Sequence, residues 1–62
     1  MRGMLAPLNR HEEAALRKIG LGIKETIEPI HLRRLQQLEL VQWDGHSWQL
    51  TGVGRQRYES LV

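Results

Sequence analysis

The three residue types of a hydrolase triad occur close together in the chain, as Asp44, His46 and Ser47. Such a triad needs its nucleophile, base and orienting acid in line, with hydrogen-bond donors placed for the oxyanion. Neighbouring residues on a single turn cannot line up in that way, and the sequence suggests no oxyanion donors. We therefore predict that the protein is not an enzyme.

Histidines at positions 11, 31 and 46 are the remaining candidates for a ligand site. Zinc sites use closely spaced ligands, such as two histidines four residues apart, and this chain has neither that spacing nor any cysteine. Gly20-Leu-Gly22 lacks the third glycine, the preceding strand and the lysine of a phosphate-binding loop. The sequence thus predicts no metal, no cofactor and no small-molecule substrate.

The length and composition bound the remaining possibilities. The 62 residues are enough for one domain, and the net charge of +2 permits binding to nucleic acid without requiring it. No uninterrupted apolar run is longer than three residues, as in Met4-Leu5-Ala6, which is far short of the roughly 20 residues that span a bilayer. The absence of cysteine fits a cytoplasmic protein, and the short apolar runs predict no membrane contact. We expect residues 1–8 to form a flexible arm and residues 9–62 to form the domain.

Two helices are predicted in the first two thirds of the chain. Asn9 and Glu12 have the spacing of an N-cap and its partner carboxylate, which predicts a helix over 10–19 that ends at the glycines Gly20 and Gly22. The following segment, 22–27, has room for a turn and at most one short helix. Pro29 then suits the first position of a helix that Glu28 caps imperfectly and that continues through Leu40.

The second predicted helix is amphipathic. Leu32, Leu35 and Leu38 fall on one stripe at about 100° per residue. His31 lies near that stripe, and we expect its imidazole to be half-buried. The opposite side carries four residues with a fifth at its margin, namely Ile30, Arg33, Arg34 and Gln37, with Gln36 at the margin.

A hairpin and a last helix complete the pattern. Alternation predicts strands at 41–43 and 48–50, and a four-residue loop is preferred to a two-residue loop because it places Trp43 opposite Trp48. Thr51 can cap a helix whose inner stripe is Gly54, Tyr58 and Leu61, with Gly54 allowing another element to approach closely. The predicted fold class is α+β, mostly helical, with three helices and a hairpin.

Three segments carry a resemblance to a known family. They are His31-Leu-Arg-Arg-Leu-Gln-Gln-Leu-Glu-Leu-Val41, the turn Asp44-Gly45, and Leu50-Thr-Gly-Val-Gly-Arg55. In this pattern the chain resembles the small winged helix-turn-helix domains of bacterial regulators of the MarR, ArsR and PadR type. The chain departs from the family at the short segment before Pro29 and at Glu39, which stands where the family usually has glycine.

The resemblance implies a transcriptional regulator that contacts duplex DNA through helix 29–39, the recognition helix. Arginine can read guanine, glutamine can read adenine, and an aliphatic side chain can contact a thymine methyl group. Arg55 and Arg57 can add phosphate contacts, although ordinary surface charge is the more common explanation for both. The implied DNA-binding residues are Ile30, Arg33, Arg34, Gln36, Gln37, His46 and Arg55.

A second hypothesis is that the same fold is a protein-interaction module. The hairpin loop 44–47 has no lysine or arginine, and Trp43 and Trp48 provide a large apolar area. We expect both tryptophans to belong mainly to the core, with part of one indole exposed for a partner. The DNA-binding hypothesis, whose partner is duplex DNA, also predicts a homodimer or a larger protein partner, because a lone module of this size makes few phosphate contacts.

Overall fold

A computed structural model of the chain describes residues 5–23 and 26–61. Within that part the elements are α1 (Arg10–Leu21), α2 (Pro29–Gln37), β1 (Val41–Trp43), β2 (Trp48–Leu50) and α3 (Gly52–Leu61). The two strands form one antiparallel hairpin. The protein is therefore a small α+β domain with the predicted element order, and the predicted arm lies outside the described residues at positions 1–4.

Helix α1 begins as predicted and ends later than predicted. The Asn9 side chain accepts from the backbone N–H of Glu12 at 2.7 Å, and the Glu12 carboxylate accepts from the N–H of Asn9 at 3.0 Å. The helix ends at Gly22, whose φ of 72° is left-handed. Gly20 was expected to help end the helix but lies inside it, and the ring of Tyr58 packs where a side chain would stand.

The connection between α1 and α2 contains no helical residue in the part that the structure describes. Ile23 and residues 26–28 are not helical, and residues 24–25 lie outside the described part. Glu28 is the N-cap of α2 without a side-chain hydrogen bond, and Pro29 is the first helical residue, as predicted. The single short helix that the sequence allowed in this segment is not found among those residues.

The C-terminal end of α2 corrects the sequence-based bounds. The helix was expected to continue through Leu40, but it ends at Gln37. Glu39 follows with a left-handed φ of 62°. This reversal turns the chain so that Leu40 is fully buried in the core. Glu39 thus adopts a left-handed conformation that glycine takes without steric cost and other residues rarely adopt.

The hairpin has the predicted four-residue loop. Val41 pairs with Leu50 and Trp43 pairs with Trp48. Thr51 then joins the hairpin to α3: its hydroxyl donates to the Glu39 carbonyl at 2.5 Å and accepts from the N–H of Gly54 at 2.9 Å. Because its backbone N–H also donates to the Leu40 carbonyl, Thr51 fixes the start of α3 against the end of the α2–β1 connection.

The core lies where the three helices meet the base of the hairpin. Six residues are buried there: Ala15, Leu16, Leu35, Leu38, Leu40 and Val41. Partly buried residues surround them, including Ala6 and Leu8 from the segment before α1 and Tyr58 and Leu61 from α3. Gly54 is also buried, and α3 approaches Leu40 at this glycine, as the sequence predicted.

Candidate functional site

One face of α2 is open to solvent along its whole length. Ile30 is 69% exposed, and Arg33, Gln36 and Gln37 are exposed as well, whereas Leu35 and Leu38 on the other face are buried. The separation follows from the helical repeat, which brings positions three and four apart onto one face. The structure therefore brings four of the residues predicted to bind DNA together on one surface.

The exposure of Arg34 and Gln36 differs from the prediction. Arg34 is half-buried at the edge of the open face, and Gln36, expected at the margin, is exposed. Helix α2 has no acidic residue, and no ion pair with Arg33 or Arg34 is found among residues 5–23 and 26–61. We call the set Ile30, Arg33, Gln36 and Gln37 the α2 face. It presents one guanidinium, two amides and one branched aliphatic group.

Two further predicted DNA contacts lie outside α2. His46 is exposed in the hairpin loop, and Arg55 is exposed in the first turn of α3. Arg57, two residues further, is half-buried and has a partner within the chain. His46 and Arg55 are thus accessible to an anion, and Arg57 is tied to the protein itself.

The hairpin loop owes its shape to Asp44. One carboxylate oxygen of Asp44 accepts from the backbone N–H groups of His46 and Ser47, each at 2.8 Å, and the other accepts from the Gln49 side chain at 3.3 Å. The hydrogen bond from Ser47 and then that from His46 lower the pKa of Asp44 below its ordinary value. Asp44 therefore organises the turn, and it orients no imidazole as a catalytic acid would.

The exposure of the hairpin increases toward its tip and corrects the prediction for Trp43. Val41 is buried at the base, Trp48 is half-buried and Trp43 is 54% exposed, although Trp43 was expected to be mainly core. The two indoles meet edge to face, with ring centroids 5.5 Å apart and planes inclined by 63°. Alternation placed them correctly on one face, but the helices cover that face only near the base.

A groove lies between this face of the hairpin and the C-terminal end of α1. Its volume is about 470 Å³. Among the described residues, the apolar part of its lining comes from three isoleucines and two tryptophans, and the polar part from His46, Ser47 and Gln49. The lining residues are Ile19, Gly22, Ile23, Ile27, Trp43, His46, Ser47, Trp48 and Gln49. Sequence reasoning did not identify this groove, because its walls are distant in the chain.

A stacked pair of histidines joins α1 and α2. The rings of His11 and His31 lie 5.5 Å apart and are inclined by 12°. His31 is half-buried, as predicted, while its contact with His11 was not foreseen, since no periodic signal connects residues twenty positions apart. In the described part of the chain no group of three potential metal ligands is found.

Comparison of the chain with protein-family models, with curated protein sequences and with solved structures found no match in any of the three. Among the described helices, none has both the length and the apolar character needed to cross a membrane. The function must therefore be argued from the α2 face, the hairpin and the groove.

Proposed function

We propose that the protein binds duplex DNA through the α2 face and acts as a cytoplasmic regulator of transcription. The observation that supports this proposal is the composition of that face: an exposed arginine, two exposed amides and an exposed isoleucine, with no carboxylate anywhere in α2. An α-helix fits the major groove of B-DNA, where these side-chain types have complementary partners. The resemblance to winged-helix regulators favours the same use of this helix.

Each member of the α2 face has a distinct role in the proposal. Arg33, near the centre of the face, presents a bidentate fork to guanine O6 and N7 or to a phosphate. Gln36 and Gln37 present amides that match the adenine edge, and Ile30 contacts a thymine methyl group. Arg34, half-buried at the edge, is placed for a backbone phosphate and not for a base.

The contacts outside α2 complete a modest electrostatic interface. His46 in the hairpin loop and Arg55 at the start of α3 are exposed and available to phosphates. With a net charge of +2 the chain can make few phosphate contacts, so a single copy should bind weakly. Its log affinity should fall by about 0.9 per log unit of salt for each phosphate contacted.

The test is a fluorescence anisotropy titration of a labelled random-sequence duplex at low salt and at about 200 mM salt. We expect Arg33→Ala to weaken binding several-fold and, if Arg33 contacts a phosphate, to reduce the salt dependence by about one unit. The matched control is Arg17→Ala, which removes the same charge from an exposed position of α1. Absence of binding at low salt, or equal losses in the two variants, would contradict the proposal.

A second candidate function is that of a protein-interaction module, favoured by the 54% exposure of Trp43. Large apolar groups of this kind are enriched at the centres of protein interfaces. Acrylamide quenching of tryptophan fluorescence tests the premise, because an exposed indole is readily quenched. Two strongly protected indoles in the free protein at low concentration would contradict it.

A further inference from the structure

Two histidines from different helices are in contact at the junction of α1 and α2. His11 lies in the first turn of α1, and His31 lies in the first turn of α2. Their rings are 5.5 Å apart and inclined by 12°, a separation at which aromatic rings attract each other. His11 is exposed and His31 is half-buried, so water reaches the pair. The contact therefore joins α1 to the helix that carries the α2 face, at a place where protons can be exchanged.

Protonation changes the sign of this contact. A neutral imidazole attracts a second neutral ring or a single protonated one, but two protonated rings repel each other. Two unit charges 5.5 Å apart lower the ratio of folded to unfolded chain about fourfold, even at the dielectric constant of water. Histidine ordinarily titrates at about pH 6.5. Acidification from neutral pH to about pH 5 therefore converts an attractive contact into a repulsive one.

The helix ends add to this repulsion, because both histidines lie where positive charge is disfavoured. The N-terminus of a helix carries a partial positive charge from its unpaired backbone N–H groups. Glu12 and Glu13 offset this charge in the first turn of α1, whereas the first turn of α2 has no acidic residue. A proton on His31 is therefore less compensated within its own helix than a proton on His11.

The charged groups that face the pair act on each ring separately. A pocket of about 180 Å³ beside the rings is lined by the two histidines, by Lys18 of α1 and by Glu28 at the N-cap of α2. Lys18 has a partner within the chain, and Arg34 is half-buried one turn after His31. Residues 24–25, a lysine and a glutamate, belong to the same connection but lie outside the described part. The repulsion between the rings differs from all of these effects, since it requires a proton on both rings.

We propose that His11 and His31 form a pH-sensitive clasp between α1 and α2. The clasp holds the two helices together while the pair carries at most one proton, and it pushes them apart when both rings are protonated. Clusters of histidines act as switches at packed interfaces on the same principle. In mildly acidic conditions the α2 face is then carried by a helix that is held less firmly. The proposal concerns the packing of α1 against α2 and does not depend on DNA binding.

The experiment is a double-mutant cycle measured by urea unfolding at about pH 8 and about pH 5, on either side of the ordinary titration of histidine. The four proteins are the full unchanged chain, His11→Gln, His31→Gln and the double variant. The interactions of each ring with every other group cancel in the cycle, including those with groups outside the described residues. We expect the coupling to favour the folded state at the higher pH and to disfavour it about fourfold at the lower pH.

The matched control pairs His31→Gln with His46→Gln, which removes the histidine of the hairpin loop and should show no pH-dependent coupling to position 31. His31→Phe keeps a ring that cannot be protonated and serves as a second reference, in case His31→Gln does not fold. With it, acidification should change the coupling to His11 by at least about fourfold against the folded state. A coupling that is the same at both pH values, or an equal change in the His46 control, would overturn the proposal. A failure of DNA binding leaves these measurements unaffected.

Discussion

The packing of α3 against Leu40 at Gly54 predicts a large loss of stability for Gly54→Ala. A Cβ at position 54 would lie 2.7 Å from the carbonyl carbon of Leu40 and closer still to its oxygen. Real Cβ atoms do not approach backbone so closely, so either α3 or the residues before β1 must move. The Leu40 carbonyl also accepts the hydrogen bond of Thr51, which the movement would break.

The magnitude follows from three opposing effects. Overpacking a well-packed position costs about 1–3 kcal/mol, and losing the hydrogen bond to the Leu40 carbonyl adds about 1 kcal/mol. The better helix propensity of alanine returns about 1 kcal/mol. We therefore expect a net loss of about 1–3 kcal/mol. A domain of this length has about 3–9 kcal/mol in total, so the loss is a substantial fraction of its stability.

Urea unfolding followed by tryptophan fluorescence and circular dichroism measures this loss. The matched control is Gly52→Ala in the same helix, because nothing lies within 4 Å of a Cβ added there. That variant should be as stable as the unchanged protein or up to about 1 kcal/mol more stable. If Gly54→Ala unfolded within about 0.5 kcal/mol of the unchanged protein, a difference typical of neutral surface changes, the close packing of α3 on Leu40 would be refuted.

Three further predictions concern local backbone and turn chemistry. Glu39→Gly should raise the free energy of unfolding by about 0.5–1 kcal/mol, because glycine adopts the left-handed φ of 62° without steric cost; a loss of stability would contradict this. Asn9→Ala should lower the free energy of unfolding by about 1 kcal/mol through loss of the capping box with Glu12. An unchanged urea midpoint would show that the capping box does not stabilise α1. The pKa of Asp44 is lowered in the folded state, so its ionised carboxylate stabilises the fold at pH values above its ordinary pKa of 3.8. This contribution is lost as the pH falls through the pKa of Asp44 in the folded state. The stability of the unchanged protein relative to Asp44→Asn should therefore decline on acidification below about pH 4. A difference that does not depend on pH would contradict the stabilisation of the hairpin loop by the Asp44 carboxylate.

Much of the fold could be predicted because local chemistry determines it. The capping box of Asn9 and Glu12 places the start of α1, and the fixed φ of Pro29 places the start of α2. The register of the hairpin follows from the preference for a cross-strand pair of tryptophans. These signals act over a few residues, and such signals can be read from the sequence.

The helix ends were predicted less well because they depend on tertiary contacts. Gly20 is of a type that commonly ends helices, yet it lies inside α1, where Tyr58, distant in the chain, packs against it. The end of α2 is set by the burial of Leu40, which requires Glu39 to take a conformation that the residue itself disfavours. In both cases packing prevails over local preference.

In the candidate site, too, local periodicity could be read from the sequence and tertiary coverage could not. Helical periodicity placed the α2 face correctly except at its edges, where Arg34 is more covered and Gln36 more open than expected. Strand alternation put Trp43 and Trp48 on one face but carries no information on how far the helices cover it. The groove was not predicted at all, since it exists only where α1, the segment after it and the hairpin meet.

The central claim, DNA binding through the α2 face, is tested most directly by an amide NMR titration of the isotope-labelled protein. A random-sequence duplex is added at low salt, and the titration is repeated at about 200 mM salt, where phosphate-driven binding falls sharply. We predict salt-sensitive shifts at residues 30–37, with smaller shifts at His46 and Arg55. Unchanged amides in 30–37 at low salt, or shifts confined to the residues around the groove, would contradict the claim.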